Sequence, residues 1–131
     1  MKSFLTPLLR SNATPSTLTN TRTNRVVAPT LLTAFDSESR RRGLLKHESL
    51  PEGSALIIAP SNAIHTFFMR FAIDVMFVSK DGRVVKVRST VRPWRITAAW
   101  RAFAVIEMAA GSFEKSDTRP GDLLQITMLR P

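Results

Sequence analysis

The feature that most restricts the fold of this chain is the length of its apolar runs. From residue 54 onward SALIIAP, IHTFFMRF, IDVMFV, RVVKV, FAVIEMA and DLLQITM follow one another at short intervals. Each run has the roughly four to eight residues of a strand, and none reaches the ten or twelve of an amphipathic helix. SKDG, at 79–82, is a turn in which Gly82 can take positive φ, so VMFV and RVVKV predict a hairpin. RPGD supplies a Pro-Gly turn before the last run. No crossover helices separate the runs, which argues against a doubly wound α/β sheet. Five or six short strands with turns between them predict a mainly β fold, a compact β-sandwich or barrel with one short N-terminal helix.

That helix is expected from Ser37 to His47 within DSESRRRGLLKHESLPEG. Asp36 or Ser37 can accept the unpaired first-turn N–H groups, Glu38 suits the positive end, and Pro51 with Gly53 stops the chain beyond it. Gly43 lowers its propensity, so the alternative is a break there with Leu44 and Leu45 anchoring a loop. Residues 11–30 are rich in Ser, Thr and Asn and poor in residues that form a buried face, so the extension is placed at 1–30. They read as a flexible or edge-adding extension, leaving 31–131 as a single β-rich domain. Pro93 interrupts RSTVRPWRITAAWRA, 88–102, which reads as a loop with a single helical turn. Trp94 and Trp100 then cover an opening of the barrel or lie against its outside.

A length of 131 residues suits one domain. The absence of cysteine excludes disulfides and thiolate chemistry within the chain. The start, MKSFLTPLLR, has an apolar patch interrupted by Thr6, Pro7 and Arg10, too short for a secretory signal, so a cytoplasmic location is favoured over export. No stretch approaches the roughly 20 apolar residues of a membrane span. The formal charge is +9, and residues 1–46 hold eight basic residues against two acidic ones. The remaining chain, with eleven against eight, is only mildly basic. Nonspecific contact with nucleic acid or anionic lipid follows from such a balance, and specificity does not.

The run from Pro60 to Phe77, PSNAIHTFFMRFAIDVMF, followed by KDGRVV, closely resembles the signature of the domain-of-unknown-function family 192. VIEMAAG at 105–111, the Gly121-Asp122 turn, RRRGLL at 40–45 and LPEG at 50–53 fit the same pattern, so the resemblance covers about 34–128. It implies a small, jelly-roll-like β domain and no general enzymatic activity. The chain departs from the pattern at Ser61, where members often have Cys, at Ala72 for Pro and at Ser39 for Glu. A serine lacks the ready ionisation and soft metal affinity of a thiol.

His65 is the residue whose reference pKa suits acid, base or ligand chemistry near neutrality. Ser61 lies four residues before it and Asp74 nine after it, a spacing with no triad signature, and G-x-S-x-G is absent. Neither His65 nor His47 belongs to a closely spaced ligand set, so no metal and no cofactor is expected. Arg70 and Asp74 read as a structural pair with each other, with Glu107 or with backbone carbonyls. The functional alternative makes Arg70 a fork for a carboxylate, phosphate or sugar oxygen. His65, Arg70, Asp74, Trp94 and Glu107 together suit a rim that binds a polar ligand. Phe67, Phe68, Phe71 and Phe77 read as core.

The function that follows is a noncatalytic small β domain binding a polar small molecule or a protein at the rim of its sheets. The first alternative is a hydrolase using His65 with Asp74 and Ser61. The second is weak single-stranded nucleic-acid binding through Arg88, Arg92, Arg95 and Arg101 beside the tryptophans. Assembly into a homo-oligomer is compatible with the basic leader.

Overall fold

In a computed structural model that describes residues 3–10, 16–36 and 50–128, two short helices and ten strands are arranged in three sheets. In chain order these are α1 (Thr6–Arg10), β1 (Ser16–Asn20), β2 (Arg25–Ala28), β3 (Thr30–Ala34), β4 (Ser54–Ile58) and β5 (Ala63–His65). They continue with β6 (Ile73–Val78), β7 (Val84–Val91), β8 (Ile96–Ala98), β9 (Ala104–Ala109), α2 (Ser112–Ser116) and β10 (Leu124–Met128). The helix expected at 37–47, with His47, lies outside the described residues.

The nearly continuous apolar runs become the middle of the largest sheet, ordered β3-β4-β9-β6-β7. Strands read this way when both faces are covered. Alternate residues sort accordingly. Ala55, Ile57, Met76, Val78, Ile106 and Met108 join one buried cluster, whereas Leu56, Ile58, Ile73, Val75, Phe77 and Val105 join a second. The first face is covered by the three-stranded sheet β10-β1-β2, through Leu18, Ala28, Leu124 and Ile126, together with Leu5 and Leu8 near α1 and Phe113 of α2. The second face is covered by Leu50, Met69 and Val91, with Ile64, Phe71, Ala99 and Ala102 packed at its border.

Among the described residues none of the sheets closes on itself, which corrects the expected barrel and its jelly-roll variant. The physical reason is the two-sided burial of β4, β9 and β6: barrel strands alternate inward and outward residues, whereas these need a layer on each side. The fold remains mainly β, as the run lengths predict. The hairpin between β6 and β7 forms where SKDG placed it. Gly82 has φ 98°, and a Cβ there would lie 2.6 Å from the carbonyl oxygen of Leu124, so the turn and the start of β10 both require glycine.

Two segments differ from the sequence reading. Ser16–Asn20 and Arg25–Ala28, within the stretch read as an extension, form β1 and β2, and β1 is the middle strand of its sheet. Leu18 is fully buried. Asn20, also buried, donates to Asp122 at 2.8 Å, and Arg22 Nε donates to the same carboxylate at 2.6 Å. With the Arg119 amide also donating, and the Arg22 bond as the largest cause, Asp122 is held down at about 2 against its own burial. Within residues 88–102, 88–91 form the end of β7 and 96–98 form β8, with turns between and after them and no helical turn. Pro93 sits between those strands, where its missing N–H interrupts no ladder.

Truncating Leu18 to Ala is expected to lower unfolding stability by about 3 kcal/mol, read by urea denaturation. A change below about 0.5 kcal/mol would show that β1 is not part of the folded core.

Candidate functional site

The sequence-derived candidates separate into a buried group and an exposed one. Asp74, in β6, is fully buried, and its carboxylate accepts three backbone N–H groups: Thr90 at 2.9 Å, Gly111 at 3.0 Å and Phe113 at 3.1 Å. Gly111 precedes α2 and offers no side-chain cap, so Asp74 supplies from a neighbouring strand the acceptor that a Ser or Asp would supply locally. Its third contact holds Thr90, which has φ 51° beside the register shift between Ile73 and Val75. These contacts give Asp74 a structural role in joining β6, β7 and α2.

Glu107 lies opposite Val75 on β6 and Leu56 on β4, so it points to the second apolar face, whereas Asp74, opposite Met108, points to the first. Two buried carboxyls thus occupy adjacent strands and opposite faces. The Glu107 carboxyl accepts no hydrogen bond from the described residues, and burial raises its pKa from 4.5 to about 7. It is a mostly protonated acid at slightly acidic pH, enclosed within the core and away from the exposed candidates.

The exposed group is carried by the two-stranded ribbon β5-β8, in which His65 pairs with Ile96. His65 stacks on Phe67 with ring centroids 4.9 Å apart, and its Nδ1 accepts the Phe67 amide at 3.3 Å. Phe67 and Phe68 both meet Trp94, at 5.7 Å and 4.7 Å. Phe68 is 70% exposed, Trp94 56%, Ile96 69% and Trp100 80%. Of the phenylalanines read as core, Phe77 is fully buried and Phe67 and Phe71 are half-buried, while Phe68 projects to solvent. Its φ of 67° and the 66° of Trp94 explain the outcome: both residues adopt the left-handed region, which turns the chain locally instead of continuing a strand. Arg70, Arg88, Arg92, Arg95 and Arg101 are exposed, and the guanidinium of Arg101 lies 5.4 Å from the Trp100 ring centre.

Thr66 holds this arrangement together and was not singled out by sequence. Fully buried, it donates its N–H to the Arg95 carbonyl at 2.8 Å and accepts the amides of Trp94 and Met69 at its own carbonyl. Its hydroxyl donates to the Arg92 carbonyl at 2.6 Å and accepts the Arg95 amide at 2.9 Å. The only signal in the sequence is a small hydroxyl residue inside an aromatic run.

The structure brings His65 and Trp94 together through Phe67, and leaves Asp74 and Glu107 in the core. Ser61 Oγ donates to the Ala63 carbonyl, so Ser61, His65 and Asp74 have no hydrogen bond with one another. Among the described residues no group of three or more His, Asp or Glu lies close enough to hold a metal ion. No described helix is long and apolar enough to cross a membrane.

Two measurements follow. Because the pKa of Glu107 is higher folded than unfolded, its contribution to stability is greatest below 4.5, falls as pH rises from there to about 7, and stays lower above. Glu107→Gln is expected to flatten that decline, worth on the order of 3 kcal/mol, in denaturation curves taken on either side of the window. Phe68→Gly, which relieves a positive φ at an exposed position, is expected to raise stability by roughly 1 kcal/mol. A loss of that size would mean that the ring contributes more through packing than its backbone costs.

The fold is similar to two crystal structures. One is of a protein described as a candidate transcription regulator from Sinorhizobium meliloti 1021, with 19% identity, a TM-score of 0.74 and coverage of 84% of this chain and 90% of that one. The other is of a protein of unknown function from Novosphingobium aromaticivorans DSM 12444, with 24% identity, a TM-score of 0.71 and coverage of 85% and 83%. At these identities the likeness shows the fold alone. No curated protein matches the chain. Residues 18–126 match DUF192, described as an uncharacterized ACR, and this span takes in β1 from Leu18 onward, the Thr66 ribbon and the Asp122 turn. The chain belongs to the DUF192 family.

Proposed function

We propose that this protein is a noncatalytic recognition domain and that the β5-β8 ribbon, with Phe68, Trp94 and Ile96 at its surface, is where it binds an anionic partner. The observation that carries the reading is the grouping of exposed apolar side chains on the two-stranded ribbon and in the turns at its ends. Phe68, Trp94, Ile96 and Trp100 account for four of the six exposed large hydrophobics among the described residues. Apolar patches of this kind mark interaction surfaces. Two of those side chains are held at positive φ, a cost that persists where surrounding structure enforces it and that clusters at functional sites.

The charge of the partner follows from the flanks. Residues 61–71 and 88–102 contain five arginines and no acidic residue. Arginine presents a planar fork suited to carboxylate and phosphate, and aromatic neighbours lower the local water content around it. The hydrolase alternative finds less support: Asp74 is engaged by three amides, and His65 Nδ1 by the Phe67 amide.

Retention on immobilised heparin tests the reading. Arg92→Ala with Arg95→Ala is expected to elute at clearly lower salt than the unaltered protein. Arg25→Ala with Lys80→Ala, which removes the same charge from outside the ribbon, is expected to shift elution much less. Equal shifts from the two pairs would show that net charge alone governs binding and would reject a dedicated surface.

A further inference from the structure

We infer that the ribbon is a membrane-docking wedge whose partner is the surface of an anionic lipid bilayer; this assignment rests on the recognition reading above and specifies its partner. Three observations favour a bilayer over a single-stranded nucleic acid.

The first is the shape of the aromatic group. Base stacking needs open ring faces. Here the rings cover one another: Trp94 meets Phe67 at an interplanar angle of 31° and Phe68 at 58°, and Arg101 lies over Trp100. Trp94, with neighbours at Phe67 and Phe68, and Trp100, with Arg101 over its ring, offer a base fewer free faces than isolated rings would. Ile96, 69% exposed and opposite His65 in the ribbon, has no π face at all. An aliphatic side chain gains from hydrocarbon and gains little from a nucleobase.

The second is the backbone. A loop entering the interface loses water as a hydrogen-bond partner, so its polar backbone groups need internal partners. Thr66 supplies several of them. The amides of Thr66, Met69, Trp94 and Arg95 and the carbonyl of Arg92 are all engaged through this one buried residue. The tip carrying Phe68 and Trp94 is therefore prepared for a medium of lower polarity.

The third is the distribution of charge around that tip. Arg88, Arg92, Arg95 and Arg101 are exposed and come from the strands and turns flanking the apolar side chains. Exposed arginines beside an apolar tip can meet lipid phosphates while tryptophan sits at the headgroup level, and each such arginine adds to the attraction for an anionic leaflet. Hydrophobic insertion and electrostatic attraction together give stable, reversible anchoring where either alone is marginal.

Vesicle flotation combined with intrinsic fluorescence tests the inference. The chain has two tryptophans, both exposed: Trp94, beside Phe68, reports the tip, and Trp100, beyond the Ala63–Ala98 end of the ribbon, reports that end, so Trp100→Phe isolates the Trp94 signal. With vesicles of phosphatidylcholine containing phosphatidylglycerol, the full-length protein is expected to float and its emission to shift to the blue. Pure phosphatidylcholine is expected to bind it at least roughly tenfold more weakly. Phe68→Asn and Trp94→Asn, which tolerate the left-handed backbone and leave the charge unchanged, are each expected to lower partitioning by roughly tenfold. Unchanged far-ultraviolet circular dichroism and thermal unfolding of those variants establish that they fold.

Flotation without a blue shift, insensitive to both Asn variants, would reduce the effect to charge adsorption and overturn the wedge. Absence of flotation at low salt, with heparin retention still dependent on Arg92 and Arg95, would overturn the lipid assignment while leaving the recognition surface in place. Ribbon-dependent binding of single-stranded RNA in preference to the anionic vesicles would overturn it in favour of nucleic acid. Failure of every ribbon variant to alter either heparin or vesicle binding would remove the recognition reading as well.

Discussion

The constraint on which the rest of this structure depends is the burial of β4, β9 and β6 on both faces. A sheet strand with apolar residues at every position has no side that water can cover, so the chain must provide two further layers. On one side it uses a second sheet and two short helices. On the other, among the described residues, it uses loops and the border of a two-stranded ribbon. The asymmetry matters. A full sheet buries its own backbone polarity in ladders, while a cover made of turns needs individual hydrogen bonds, which is why Thr66 carries so many contacts.

The two interior carboxyls show how the same side-chain chemistry is treated on either side of that sheet. Asp74 replaces a missing helix cap and fixes an irregular stretch of β7, so its charge is met by three donors. Glu107 is surrounded by Leu56 and Val75 and meets no comparable set of donors among the described residues. The first carboxylate contributes architecture. The second imposes a dependence on acidity that a glutamine would not, and it does so at the centre of the sheet, where a local opening is least available.

What the sequence made legible follows the same division. SKDG between two apolar runs specifies a hairpin through local chemistry, and β6 and β7 pair there. β4, β9 and β10 are equally plain as short apolar runs. β1 is not, because STLTN offers one large apolar residue, and the burial of Ser16 and Asn20 depends on partners a hundred residues away. The open layered arrangement was also hidden, since an unbroken apolar run says that both faces are covered without saying by what. At the candidate surface, His65, Arg70 and Trp94 were visible as residue types. The outward turn of Phe68 was not, because aromatic identity predicts burial and its left-handed conformation belongs to a turn, closed by the Met69 amide on the Thr66 carbonyl, that has no Gly or Asn to announce it.

Those bonds also set how the ribbon moves. When the Thr66 contacts release, the amides of residues 66, 69, 94 and 95 lose their acceptors in the same event, although they belong to two segments more than twenty residues apart. Deuterium uptake at the four positions is then governed by one opening equilibrium instead of four. The ribbon is then expected to open as one cooperative unit centred on a threonine, while the double-covered strands beneath it stay closed.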